Sequence, residues 1–146
     1  MTCAPNPPNL KVTFPSAGSY LFAVNATNPA ALQLTIEKAP FDVAVFVRGI
    51  NEDWSDGAQN QMTYLGSGTY QLDRAVAAGA TPFKIASSDW STVNCGWPSQ
   101  GQQVAIGTKL TINCPANENL NLTAPAAGTY RFTFTPGDSG ILITGP

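Results

Sequence analysis

The chain has 146 residues, of which 43% are hydrophobic and only 11% charged, and seven Lys and Arg against nine Asp and Glu leave a net charge of −2. That length suits one full core rather than two, and the near-neutral balance gives the counterion release behind nucleic-acid binding little to act on. No run reaches the roughly 18 apolar residues of a membrane span, and with no histidine at all a Ser or Cys nucleophile lacks its usual base.

The predicted elements are short strands throughout. Tyr20, Phe22 and Val24 alternate after a Pro15-Ser16-Ala17-Gly18 corner, and a second strand follows over 31–37. After Pro40, the run Val45-Phe46-Val47-Arg48 reads as a strand that ends in Gly49-Ile50-Asn51-Glu52-Asp53-Trp54. An alternating stretch over 62–76 is broken by Gly66-Ser67-Gly68, and Ala78-Gly79-Ala80 leads into Thr81-Pro82-Phe83-Lys84-Ile85-Ala86. Lys84 alternates with Phe83 and Ile85, so it is expected to point away from the core. A Ser87-Ser88-Asp89 turn presents Trp90, Gly107 precedes a strand over 108–112, and further strands are expected over 119–124, 128–134 and 140–144. Thirteen Gly and twelve Pro along the whole length break long helices. The expected fold is therefore all-β, an Ig-like β-sandwich of about seven or more strands.

The two ends of the chain echo each other. Residues 9–24, with Asn9-Leu10-Lys11-Val12-Thr13-Phe14-Pro15-Ser16-Ala17-Gly18-Ser19-Tyr20, match residues 119–134, with Asn119-Leu120-Asn121-Leu122-Thr123-Ala124-Pro125-Ala126-Ala127-Gly128-Thr129-Tyr130. The offset is constant, since 130 − 20 and 128 − 18 both give 110. Such self-similarity marks a repeated structural unit. Residues 39–146 then read as one sandwich closed by its own C-terminal hairpin, and residues 1–38 as the closing hairpin of a preceding repeat or an N-terminal extension. The competing arrangement has both hairpins completing a single sandwich.

Three cysteines, Cys3, Cys95 and Cys114, form an odd set. A Cys95–Cys114 bridge would close a loop of about 19 residues, worth roughly 3 kcal/mol in the chain-entropy picture, and suits a secreted module; the alternative is three free thiols. Cys3 would pair outside the chain or carry a lipid anchor. Met1 followed at once by Thr2-Cys3-Ala4-Pro5 reads as an expression start joined to a mature or excised segment. Zinc is not expected, because there is no His and no short-spaced Cys pair, and the acidic cluster of Glu52, Asp53 and Asp56 lacks the ligand spacing of a calcium loop. No cofactor or metal is expected.

The middle of the chain carries the functional signal. Phe46-Val47-Arg48-Gly49-Ile50-Asn51-Glu52-Asp53-Trp54, then Gly66-Ser67-Gly68-Thr69-Tyr70, then Phe83-Lys84-Ile85-Ala86 and Asp89-Trp90 occur in that order over about fifty residues. In this order and spacing the chain resembles the early-Ig-type starch- and glycogen-binding module that accompanies pullulanases, isoamylases, branching enzymes and some secreted amylases. Ile50 stands where the family carries an aromatic, and the segment from Ser91 to Cys114 is longer than the family's loop. The resemblance implies that Trp54 and Trp90 stack on glucose rings and that Lys84 reaches sugar hydroxyls. It also implies an Asn near the final strands, for which Asn117 and Asn119 are the candidates. The residue types fit that chemistry, since indoles offer flat apolar faces to C–H groups while amides and ammonium groups replace water at hydroxyls.

These readings point to a non-catalytic carbohydrate-binding module for α-glucan, secreted or periplasmic, which holds an attached glycoside hydrolase on its polymer. The alternative is an Ig-like spacer whose Trp residues are core. In either case the sequence offers no paired carboxylates for glycoside hydrolysis and no nucleotide-binding glycine loop. Trp97, beside Cys95, is expected to pack on the disulfide, and Tyr20, Tyr70 and Tyr130 to fill core or corner positions.

Overall fold

The alternation of apolar residues is realised as twelve strands in a computed structural model that describes residues 9–146; Cys3 lies outside the described residues. There is no α-helix among them, only three short 3-10 turns. Strands β1 (Tyr20–Asn25) and β2 (Gln33–Lys38) pair with each other as a two-stranded sheet of their own. The remaining strands build two five-stranded sheets.

In the first of these, β3 (Phe46–Arg48) lies beside β6 (Gly79–Ala86), followed by β10 (Leu120–Ala124) and β8 (Gln102–Gln103), with β7 (Asn94–Cys95) on the end of β6. The second runs β4 (Thr63–Gly66), β5 (Thr69–Val76), β11 (Gly128–Thr135), β12 (Gly140–Thr144) and β9 (Leu110–Thr111). The fold is the expected all-β, Ig-like sandwich.

Period-two patterning decides what lies between the sheets. Val47, Phe83, Ile85, Leu120 and Leu122 face inward from the first sheet, and Tyr130, Phe132, Phe134, Ile141 and Ile143 from the second, all buried. Phe83 and Phe132 meet across the gap with ring centroids 5.7 Å apart at 75°, an edge-to-face contact that links the two layers. Ile50, where the resembled family has an aromatic, is fully buried in this core.

Cys95 and Cys114 are joined in a disulfide across 19 residues. The bridge ties β7 to the long segment leading to β10. Trp97 and Glu118 exchange two backbone hydrogen bonds of 3.1 Å in the same region, and Trp97 packs part-buried against the core.

The internal echo holds at the level of register. In the C-terminal hairpin Phe132 pairs with Ile143 and Phe134 with Ile141; in the N-terminal one Phe22 pairs with Ile36 and Val24 with Leu34. Offsets of 110 on the first strand and 107 on the second (143 − 36) place three extra residues in the N-terminal loop. The corner repeats as well: the Tyr130 hydroxyl donates to the Ala126 carbonyl at 2.8 Å, and the Tyr20 hydroxyl to the Ser16 carbonyl at 2.8 Å. The two hairpins belong to different sheets.

Candidate functional site

Two turns at the outer rim of the first sheet bring Trp54 and Trp90 together. After β3 the chain turns through Gly49 at φ 107, a conformation open to glycine at little cost. A Cβ at this position would also lie 2.7 Å from Cη2 of Trp54, so the missing side chain is what lets the indole rest on the strand end. The turn is closed by the Gly49 amide donating to the Asp53 carbonyl at 2.8 Å. Asn51, left-handed at φ 56, fastens it to the opposite sheet: its side-chain amide donates to the Ala75 carbonyl at 3.0 Å, and its oxygen accepts from the Ala77 amide at 2.9 Å.

Trp90 sits on the second turn with φ 57. A bulky residue held there costs on the order of 1–3 kcal/mol and persists only where the surroundings impose it. Here Asp89 imposes it, accepting from the hydroxyls of Ser87, Ser91 (2.6 Å) and Thr92 (2.8 Å) and from the Ser91 amide at 3.2 Å. The Ser87 hydroxyl, then those of Ser91 and Thr92, hold the Asp89 carboxyl far below its ordinary range. Asp53 plays the same part beneath Trp54, held low by Gln59, then Ser55 and Asn60, and also paired with Arg74 at 3.2 Å. Both carboxylates are spent on fixing turns.

The indoles lie with centroids 6.3 Å apart and planes inclined by 36°, and both are partly exposed. Beneath them is Arg48. Its guanidinium carbon stands 3.9 Å from the Trp90 ring centroid, its Nε donates to the Trp54 carbonyl at 2.6 Å, and one terminal nitrogen donates to the Ser87 and Ser88 carbonyls at 3.1 and 3.3 Å. A single side chain thus ties both Trp turns to β3, with a cation–π contribution of about 1–2 kcal/mol where the pair is this desolvated. The sequence reading missed Arg48, although its outward position in Phe46-Val47-Arg48, opposite inward Val47, was the available signal.

Lys84 departs from its expected place. It does alternate outward on β6, paired in register with Arg48, but it is only 5% exposed. Its ammonium donates to the Ala116 carbonyl at 2.7 Å and also faces the Asn117 carbonyl at 3.4 Å. Burial pushes its pKa down, with Glu118 partly offsetting this. The cause is the long segment before β10, which the disulfide folds back over this face, so that the outer side of β6 is covered.

Asn119 precedes Leu120, which pairs with Phe83, and so it lies beside Lys84. It lines an open polar cleft of about 440 Å³ together with Gln100, Gly101, Glu118 and Asn121. Asn117 is exposed on the covering segment. Because β3 and β10 flank β6, Arg48 beneath the indoles, Lys84 and Asn119 follow one another across the sheet, the two outer strands standing two strand spacings or roughly 10 Å apart. One rim therefore carries an amphipathic aromatic platform and, beyond buried Lys84, a patch of amides.

The fold and this rim define an Ig-like β-sandwich module with partly exposed paired indoles. Its structure is similar to a solved structure described as the ligand-induced structure of AmyP-SBD, a starch-binding domain, with 25% sequence identity, 94% of this chain and 95% of that chain covered, and a TM-score of 0.57. No protein-family model matches the chain, and no curated protein matches it.

Proposed function

We propose that the protein is a non-catalytic module that binds α-glucan, with Trp54 and Trp90 as the stacking platform and Asn119 among the amides that meet sugar hydroxyls. The observation that carries this reading is the tilted, partly exposed indole pair held from below by Arg48. Two rings fixed at an angle suit a curved chain of flat sugars better than a planar wall would, and their rigidity keeps the entropic cost of binding low. The similarity to a starch-binding domain supports the same chemistry. Lys84 acts in this reading as a positioning residue, fastening the segment that presents Asn119. The module would be secreted or periplasmic and would keep a tethered glycoside hydrolase near its polymer through effective concentration.

Native gels containing amylopectin or glycogen test this. Retardation is expected for the wild type and is expected to vanish for the Trp54→Ala, Trp90→Ala double variant, whereas each single variant weakens maltoheptaose binding about tenfold, or roughly 1.4 kcal/mol. Indole emission should shift on adding maltoheptaose. Absence of retardation for folded wild type would leave the Ig-like spacer, a reading that the covering of Lys84 favours.

A further inference from the structure

The N-terminal copy of the repeat presents the same apolar face as the C-terminal copy, but no sheet among the described residues covers it. In the C-terminal copy Leu120, Leu122, Phe132 and Phe134 are all 0% exposed. Their counterparts at the constant offset of 110 are Leu10 at 82%, Val12 at 42%, Phe22 at 53% and Val24 at 64% exposed. Leu34, the counterpart of buried Ile141 through the hairpin register, is 41% exposed. Phe14 packs on Tyr20 and Phe22, with centroids 4.7 and 6.0 Å away, and these rings border an apolar hollow of about 330 Å³. A contiguous apolar surface of this kind marks a contact face.

What would cover it can be read from the copy that is covered. Residues 120–124 pair antiparallel with β6, and β11 pairs with β5. By contrast, residues 9–14 form no strand, and among the described residues β1 has only β2 beside it in its sheet. The missing neighbours are thus a β6-like strand, a β5-like strand and the inward faces they carry. A second intact copy of this sandwich offers no vacancy, because its own β10 and β11 already occupy those edges. The hairpin is meanwhile held by its other face: Glu37 accepts from the Tyr64 hydroxyl, and Leu21 lies against Gly66.

We propose that residues 9–38 are the closing strands of a further Ig-like unit of the same build as residues 39–118, supplied from outside this sandwich. The module is then one link of an array in which each unit is completed by the segment that follows it. This does not depend on the glucan-binding reading.

The test is a fusion that places a second copy of residues 39–118 directly ahead of residue 9 of the chain. Its junction, residue 118 to Asn9, reproduces the natural step from 118 to Asn119. Hydrogen exchange is expected to slow at least a hundredfold at the amides of Leu10, Val12 and Phe22 relative to the chain alone. A control fusion carrying 39–146 ahead of residue 9 has its vacancy already filled, so these amides should stay fast there while the added sandwich folds. Phe22→Asp with Val24→Asp should abolish the new protection in the first fusion yet leave the melting temperature of the unfused chain within about a degree. Unchanged exchange in the first fusion, with the control folded, overturns the proposal. So does a concentration-dependent dimer of the unfused chain that the double Asp variant dissociates, because the occupant would then be a second copy.

Discussion

Phe22 and Phe132 occupy the same step of the same pattern, four residues past a corner glycine and paired with an isoleucine, yet one is half in water and the other sealed. Local pattern makes a hairpin in both places, and even the Tyr-to-carbonyl corner forms at the same 2.8 Å. Burial is not local. It comes from the opposing sheet, which residues 39–118 provide for the C-terminal copy alone.

The sharpest way to test this contrast is to remove each ring. Phe132→Ala should cost about 3–5 kcal/mol, the range for a large-to-small change in a closed core, while Phe22→Ala should stay within about 0.5 kcal/mol, as for an exposed position; urea unfolding reads both. Comparable losses would show that the hairpins share one core. Replacing Cys95 and Cys114 together by Ser should cost about 2–4 kcal/mol and release the segment over Lys84, seen as faster exchange at the Glu118 amide with β1 and β2 unaffected. Tyr130→Phe should then cost about 1 kcal/mol for a part-buried hydrogen bond, and Tyr20→Phe almost nothing, since water can take its place.

The smallest effect concerns the contact that moors the hairpin. The Tyr64 hydroxyl, then the Ser67 amide, lower the Glu37 pKa, with burial opposing them and the Gly68 amide adding the least. A carboxyl depressed in the folded state contributes fully above its ordinary value of 4.5, and the contribution fades as pH falls through and below that point. The protection factors of the β2 amides, corrected for the intrinsic pH dependence of exchange, should therefore fall in acid while those of β12 do not, and Tyr64→Phe should remove the difference.

Much of this was legible beforehand. Alternation in Tyr130-Arg131-Phe132-Thr133-Phe134 and the Gly-bounded turns disclosed the strands, and the Asp-Trp turns disclosed the aromatic pair, because these signals are carried by neighbours in sequence. Lys84 was misplaced for the opposite reason. Alternation says which side of a strand a side chain leaves from, but not that a disulfide-tethered segment thirty residues on will lie across it. Arg48 was overlooked because its role depends on three carbonyls, of Trp54, Ser87 and Ser88, that no motif records. The exposed face of the N-terminal copy has no local signal, since its residues are those of a core; only the echo at an offset of 110, which assigns this hairpin to a preceding unit, points to it.

The geometry of Trp54 and Trp90 has an optical consequence. Two chromophores 6.3 Å apart and inclined by 36° couple their electronic transitions, which should give a bisignate circular-dichroism band whose amplitude tracks their mutual angle. The chain thus carries a label-free gauge of its own rim, which either single Trp→Phe change would extinguish and which a ligand wedging the rings apart would rescale.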